Sequence, residues 1–323
     1  MTPVFREQTG HHSPPFAWSH RIDGQADIYF LSNQELRQDT IEVAFRITDR
    51  APELWNPATG EIRNAGIWRQ ENGRTLVPVR FDPAGSWFVV FRRAIDGDPV
   101  TSITPATDKT STPLPDLWIE NNHAWVTTAG TWEITRSSGK TQRITAAGAP
   151  RPRILTNPWT VWFPDARGAP PHVDLPALIS LSEHPTQGVR HFSGTASYTC
   201  RFDATAPPSG DRLFLDLGRV ANLAEITLND RPLGVHWKPP FILDITAALR
   251  PGSNTLTIAV TNTWRNRLIG DIALPDHQRT TWRWNPENHT LAPIDTLDPS
   301  GLLGPVVIRT ARGIILDPPT RKE

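Results

Sequence analysis

The sequence predicts an all-β protein of two β-sandwich units, the C-terminal one a jelly roll. Three observations carry this. Apolar and polar residues alternate over many short runs, which is the period of a half-buried strand. Proline is abundant, at 32 of 323 residues, and proline breaks helices while suiting short strands joined by tight turns. No stretch alternates strands with long amphipathic helices, so the chain encodes no (β/α)8 barrel.

Residues 1–19 read as an irregular arm. Residues 20–93 read as a small antiparallel β-domain. Within it, DIYFLSN (27–33) is a short apolar strand. TIEVAFRIT (40–48) places Ile41, Val43, Phe45 and Ile47 on one face, opposite Glu42, Arg46 and Thr48. RTLVPVRF (74–81) repeats the pattern with Val77, Val79 and Phe81. SWFVVFRR (86–93) is apolar on both faces and is expected to be a central strand. Residues 94–115 are rich in Thr, Ser and Pro and read as a linker. Residues 116–150 form a connecting β-segment with a hairpin at SSGK (137–140). Residues 151–312 form the C-terminal sandwich, in which Leu213, Leu215 and Leu217 share a face, as do Ile226 with Leu228 and Leu256 with Ile258 and Val260. One short helix is expected within 174–184, limited by Pro176, and one helical turn before Gly252. Residues 313–323 are a tail.

Composition narrows the function. The 33 basic and 33 acidic residues balance, so no basic field argues for nucleic acid. No run approaches the ~18 apolar residues of a membrane span. The N-terminus lacks the pattern of a secretory signal, which places the chain as it stands in the cytoplasm. Cys200 is the sole cysteine, which excludes an internal disulfide, and its strand setting predicts a buried inert thiol. The 10 histidines show no metal-ligand spacing, so no metal site is expected. No cofactor is expected, with room only for a structural calcium of the kind that jelly-roll loops hold. Tryptophan is used 13 times and tyrosine only twice. Indoles offer flat apolar faces on which sugar rings stack, yet about nine or more of them are expected in packing roles. Tyr29 and Tyr198 fall in strands and read as packing residues.

HFSGTASYTCRF (191–202), LDLGRVANLAEITLND (215–230), LGVHWKPPFILDIT (233–246) and PGSNTLTIAVTN (251–262) resemble the galactose-binding-like jelly roll that family 2 glycoside hydrolases use as a sugar-binding domain. NTWRNRLIGD (262–271) and SGLLGPV (300–306) resemble the C-terminal part of family 106 α-L-rhamnosidases. HRIDGQADIYFLSN (20–33), PELWNPATGEI (52–62) and GSWFVVFRR (85–93) resemble the β-region that follows the catalytic barrel of those enzymes. The resemblance runs from about His20 to Arg309. It implies a carbohydrate partner, such as a rhamnose-containing polysaccharide, or a catalytic-barrel partner chain. In that family the catalytic carboxylates and a calcium site lie on an N-terminal barrel, for which this sequence offers no positions. The expectation is a C-terminal fragment of a longer protein or a stand-alone relative without the barrel.

The leading reading is therefore an accessory carbohydrate-binding region. The alternatives are part of a longer or split glycoside hydrolase acting on α-L-rhamnosyl bonds, and a structural assembly module. In the 262–271 segment, Trp264 offers a stacking face, while Asn262, Arg265, Asn266, Arg267 and Asp271 offer hydrogen bonds to hydroxyls. The competing reading makes Arg267–Asp271 a structural ion pair, Asn262 a turn cap and the motif a docking surface. Trp282 and Trp284, two apart, share a face if extended, either as a glycan platform or as packing. Trp237 lies on a loop at a sandwich end, where ligands often bind. A glycosidase needs two carboxylates roughly 5–10 Å apart; no pair is marked, and Glu287, beside the two tryptophans, is the one acid singled out.

Overall fold

The computed structural model describes residues 4–6, 15–105, 117–165, 167–206, 208–281 and 296–318. The chain forms two compact units, Met1–Pro150 with Ala311–Glu323, and Arg151–Thr310. Among the described residues the elements are strands with two short α-helices, Gln187–Arg190 and Arg265–Ile272.

The first unit opens with two packed sheets. One orders Phe16–Asp23, Ala26–Asn33, Ser86–Ala94, Arg50–Trp55 and Ile62–Asn64; the other orders Val4–Arg6, Asp39–Phe45, Arg74–Phe81 and Arg69–Glu71. The alternation in the sequence decides which side chains meet between them. Ile41, Val43, Phe45, Val77, Val79 and Phe81 from one sheet are buried against Tyr29, Leu31, Val89 and Phe91 from the other. Ser86–Ala94 pairs on both sides, as its two apolar faces require. The stretch expected to be an arm contains the strand Val4–Arg6 and the first half of the strand Phe16–Asp23.

The expected linker also contains a strand, Val100–Pro105, which pairs with Gly130–Arg136. Its β-branched residues suit a pleated surface despite their low hydrophobicity, and buried Val100 joins a second core with Trp132, Ile134, Ile144 and Leu316. Leu316 lies in the expected tail. The last strand, Val307–Ile315, runs through Gly313 and Ile314, which pair with Trp125 and Ala124. The hairpin at SSGK is present, with Thr135 opposite Thr141 and Gly139 at φ 83°. Its tip is tied down by Asp98, whose carboxylate accepts both serine hydroxyls, from Ser137 at 2.7 Å and Ser138 at 2.6 Å.

The second unit is a sandwich around one large core. Its main sheet orders His172–Leu175, Trp159–Trp162, Thr195–Ala204, Gly252–Thr261, Leu223–Leu228 and Arg231–His236. Opposite it lie the paired strands Asp211–Asp216 with Ile242–Asp244, and Arg153–Ile154 with the start of the last strand. The expected inward sets, Leu213 to Leu217, Ile226 with Leu228, and Leu256 to Val260, are all buried. Where a helix was expected within 174–184, the chain makes the strand His172–Leu175 and one 3-10 turn, Leu181–Glu183. Pro176 lacks an N–H and biases the residue before it toward extended backbone.

The SGLLGP segment shows why glycine is used there. A Cβ on Gly301, at φ 86°, would sit 2.1 Å from the buried Tyr198 hydroxyl. Cys200 is buried beside it on the same strand, and burial pushes its thiol up to about 11, as an inert thiol requires. Both tyrosines are fully buried.

Candidate functional site

The 262–271 segment follows the strand Gly252–Thr261 and enters a helix, Arg265–Ile272. The sequence did not announce this helix. Trp264 stands at its N-cap without a side-chain cap bond, and polar side chains occupy its buried face. A helix normally buries an apolar stripe; this one buries Asn266, Arg267 and Asp271 beside a single large apolar residue, Ile269.

Those buried groups are consumed by internal partners. Asp271 Oδ2 accepts the backbone N–H and hydroxyl of Thr281 at 2.8 and 2.7 Å, and those of Thr280 at 3.0 and 3.1 Å. Arg267 Nε lies 3.0 Å from Asp271 Oδ1 and donates to the Thr280 hydroxyl at 2.7 Å. Burial pushes the Asp271 carboxyl up, but the Thr281 hydroxyl, the Arg267 charge and the Thr280 donors outweigh it and hold the carboxyl below the usual value. Asn266 clamps Asp298 from both sides, donating to its carbonyl and accepting its N–H, each at 2.8 Å. Asn262 accepts from Gly194 N–H and donates to the Phe192 carbonyl, each at 2.9 Å. Buried polar groups must find such partners. These four residues, candidates for sugar contact from the sequence, tie the 192–194, 280–281 and 298 loops to one short helix and the segment just before it.

The rim is different. Trp264 is 45% exposed, with the Arg167 guanidinium 5.1 Å from its ring centroid. Arg265 is partly exposed and pairs with Asp298 at 3.3 Å. An indole fixed on a rigid base with guanidinium donors beside it can stack on a sugar face and hydrogen-bond its hydroxyls. Trp237 is 58% exposed on another loop, between the strands Arg231–His236 and Ile242–Asp244. His236 beside it is half-buried, and that burial lowers its pKa. Trp282, Trp284 and Glu287 lie outside the described residues. Of the eleven described tryptophans, five are buried, two half-buried and four exposed.

Sequence reasoning missed Arg167, Ser193, Thr280 and Asp298, because nothing local links them to the helix they bind. It also missed a polar cleft in the first unit around Glu53. The faint signal there was an acid inside the apolar run PELW, with the Arg92–Arg93 doublet closing the central strand. Among the described residues, no group of three or more His, Cys, Asp or Glu side chains could hold a metal ion, and no helix is long and apolar enough to cross a membrane.

Comparison with known proteins relates this all-β chain to glycoside hydrolases. The family profile described as alpha-L-rhamnosidase, glycoside hydrolase family 106, matches residues 4–69. The solved rhamnosidase of Novosphingobium sp. PP1Y is 34% identical, with a TM-score of 0.71 over 95% of this chain and 25% of that one. A Formosa agariphila protein with a provisional β-glucuronidase name is 39% identical over 207 residues, which are 57% of this chain and 18% of the relative. The chain thus resembles family 106 α-L-rhamnosidase-like glycoside hydrolases in sequence and in fold, and spans a quarter or less of these relatives.

Proposed function

We propose that this chain is an accessory carbohydrate-binding region of an α-L-rhamnosidase-like glycoside hydrolase, with its second unit a galactose-binding-like jelly roll. The observation that carries the reading is Trp264: a large apolar ring held at the surface by a helix that buries Asn266, Arg267 and Asp271 and leaves Arg265 partly exposed beside the ring. Burying three polar side chains to hold one exposed indole suits a contact surface better than a core. Trp264 stacks on the ring, and Arg167 and Arg265 hydrogen-bond its hydroxyls. The ligand class is a rhamnose-containing polysaccharide, by likeness to the rhamnosidase. Calorimetric titration of the purified chain with such a polysaccharide tests it. Saturable binding that falls about tenfold or more in Trp264→Ala, the loss of one stacking contact and its neighbours, supports the reading. Binding equal in the variant sinks it.

The second reading makes the chain part of a longer or split enzyme that hydrolyses α-L-rhamnosyl bonds. Its support is that the chain spans 25% of the rhamnosidase it matches. The purified chain is then expected to leave an aryl α-L-rhamnoside intact, with calcium added, until a catalytic-barrel chain is supplied. Turnover by the chain alone would reject both readings and direct mutagenesis first to Glu287. A purely structural module instead predicts no glycan affinity and Trp264 protected inside a protein interface.

A further inference from the structure

We infer that the second unit holds an internal stretch of a neutral glycan chain across the outer face of its main sheet, with Trp162 and Trp237 as stacking platforms on either side of Trp264. Three of the four exposed tryptophans among the described residues lie in this unit, and the strand register gathers them at one end of one sheet. Trp162 stands opposite Ser197, Ser197 opposite Ala259, Ala259 opposite Glu225, and Glu225 opposite Val235. In the first four of these strands the flanking residues are buried while the row itself is half-buried or exposed, so the row faces away from the core. The next row toward the strand ends holds Thr195, Thr261 and Leu223. Trp237 follows Val235 in the alternation, one residue past its strand. Gly252–Thr261 lies two strands from each outer indole, and Trp264 stands three residues beyond its end.

Four strand steps of about 4.8 Å put roughly 19 Å between the outer indoles, the length of several linked sugar rings. The floor between them is low and lined with hydroxyls. Ser197, Ala259, Thr195 and Thr261 are small, so a ring lying across them meets no obstruction. The Thr195 and Thr261 hydroxyls lie 2.7 Å apart, and each keeps an acceptor lone pair for a sugar O–H. Trp162 is 49% exposed and is steadied by His172, whose ring centroid lies 4.9 Å from its own. Of the side chains in the two rows only Glu225 is charged, which favours a neutral chain and repels a polyanion. A solvated sheet face needs only polar residues. Indoles at both edges of a hydroxyl floor, with a third indole between them, match the alternating apolar faces and hydroxyl edges of a glycan.

The glycan identity rests on the carbohydrate reading above; the added content is that the chain is gripped along its length and not at one ring. Calorimetric titration of the whole chain with an α-L-rhamno-disaccharide and an α-L-rhamno-octasaccharide tests it. The octasaccharide is expected to bind about tenfold or more tighter, because linked subsites act at high effective concentration. Trp162→Ala and Trp237→Ala are each expected to weaken the octasaccharide about fivefold, as loss of one stacking contact implies. Both should spare the disaccharide and the melting curve, since both rings are exposed. Ala259→Gln, which raises the floor between the indoles, is expected to weaken the octasaccharide alike. A length gain that survives in both tryptophan variants overturns the proposal. An octasaccharide no tighter than the disaccharide, with disaccharide binding still lost in Trp264→Ala, sinks this proposal alone. A length gain that needs Trp162 and Trp237, with binding unchanged in Trp264→Ala, sinks the Trp264 reading alone. No binding of either sugar overturns both.

Discussion

Two buried carboxylates in this molecule meet arginine in opposite ways. Asp271 and its partner Arg267 are both hidden, with side chains 3% and 9% exposed. Glu53 is equally hidden at 3%, but Arg92 and Arg93 are 46% and 53% exposed. In the first case every donor turns inward, and the pair fastens loops to a helix. In the second the acid anchors two cations whose remaining donors face a cleft. The same chemical pair is a rivet in one place and a mounting for exposed charge in the other. The two pairs differ in the exposure of the cation, not in the presence of the pair.

The comparison breaks most readily at Asp271. Asp271→Asn leaves Arg267 buried beside a neutral group and is expected to cost about 3–5 kcal/mol, as broken buried pairs do, read by chemical denaturation. Arg92→Met, by contrast, removes a half-exposed partner while Arg93 remains, and about 1 kcal/mol or less is expected. Equal losses in the two variants would erase the distinction.

Between those extremes lies the glycine that accommodates Tyr198. Gly301→Ala is expected to cost about 1–3 kcal/mol from overpacking against the hydroxyl, with a further share from its positive φ. Adding Tyr198→Phe removes the atom 2.1 Å away and should restore part of the loss. A double-mutant cycle showing no coupling would reject that contact as the reason for the glycine.

Acid sharpens the comparison by titration. Asp271 and Asp98 are both buried, which opposes ionisation, but both are held below the usual value. Thr281, Arg267 and Thr280 do this for Asp271; Ser138, Ser137 and Arg136 do it for Asp98. On acidification the unfolded chain takes up these protons first, near the usual aspartate value of about 3.9. Their stabilisation is therefore whole above about pH 5 and drains as pH falls through the lower folded-state values. The stability gap between wild type and Asp271→Asn should narrow in that window. A gap constant down to pH 2 would contradict the assigned charge state.

The strands were legible because alternation is local: Ile41, Val43 and Phe45 declare their face within a few residues, and Leu256, Ile258 and Val260 do the same. The chain's own order of residues therefore determined the all-β class, the inward faces of both sandwiches, the inert Cys200 and the likeness to family 106. It could not determine the strand at Val100–Pro105, whose modest hydrophobicity gains meaning only against Trp132 and Leu316. Nor could it determine the helix at Arg265–Ile272, since its buried face is mostly polar and its partners stand 9 to 100 residues away. Whether Arg267 touched a sugar or an aspartate, and whether Glu53 met solvent or two arginines, was decided by tertiary structure alone. A side chain's chemistry is written in its identity, but its free donors are whatever distant neighbours leave unpaired.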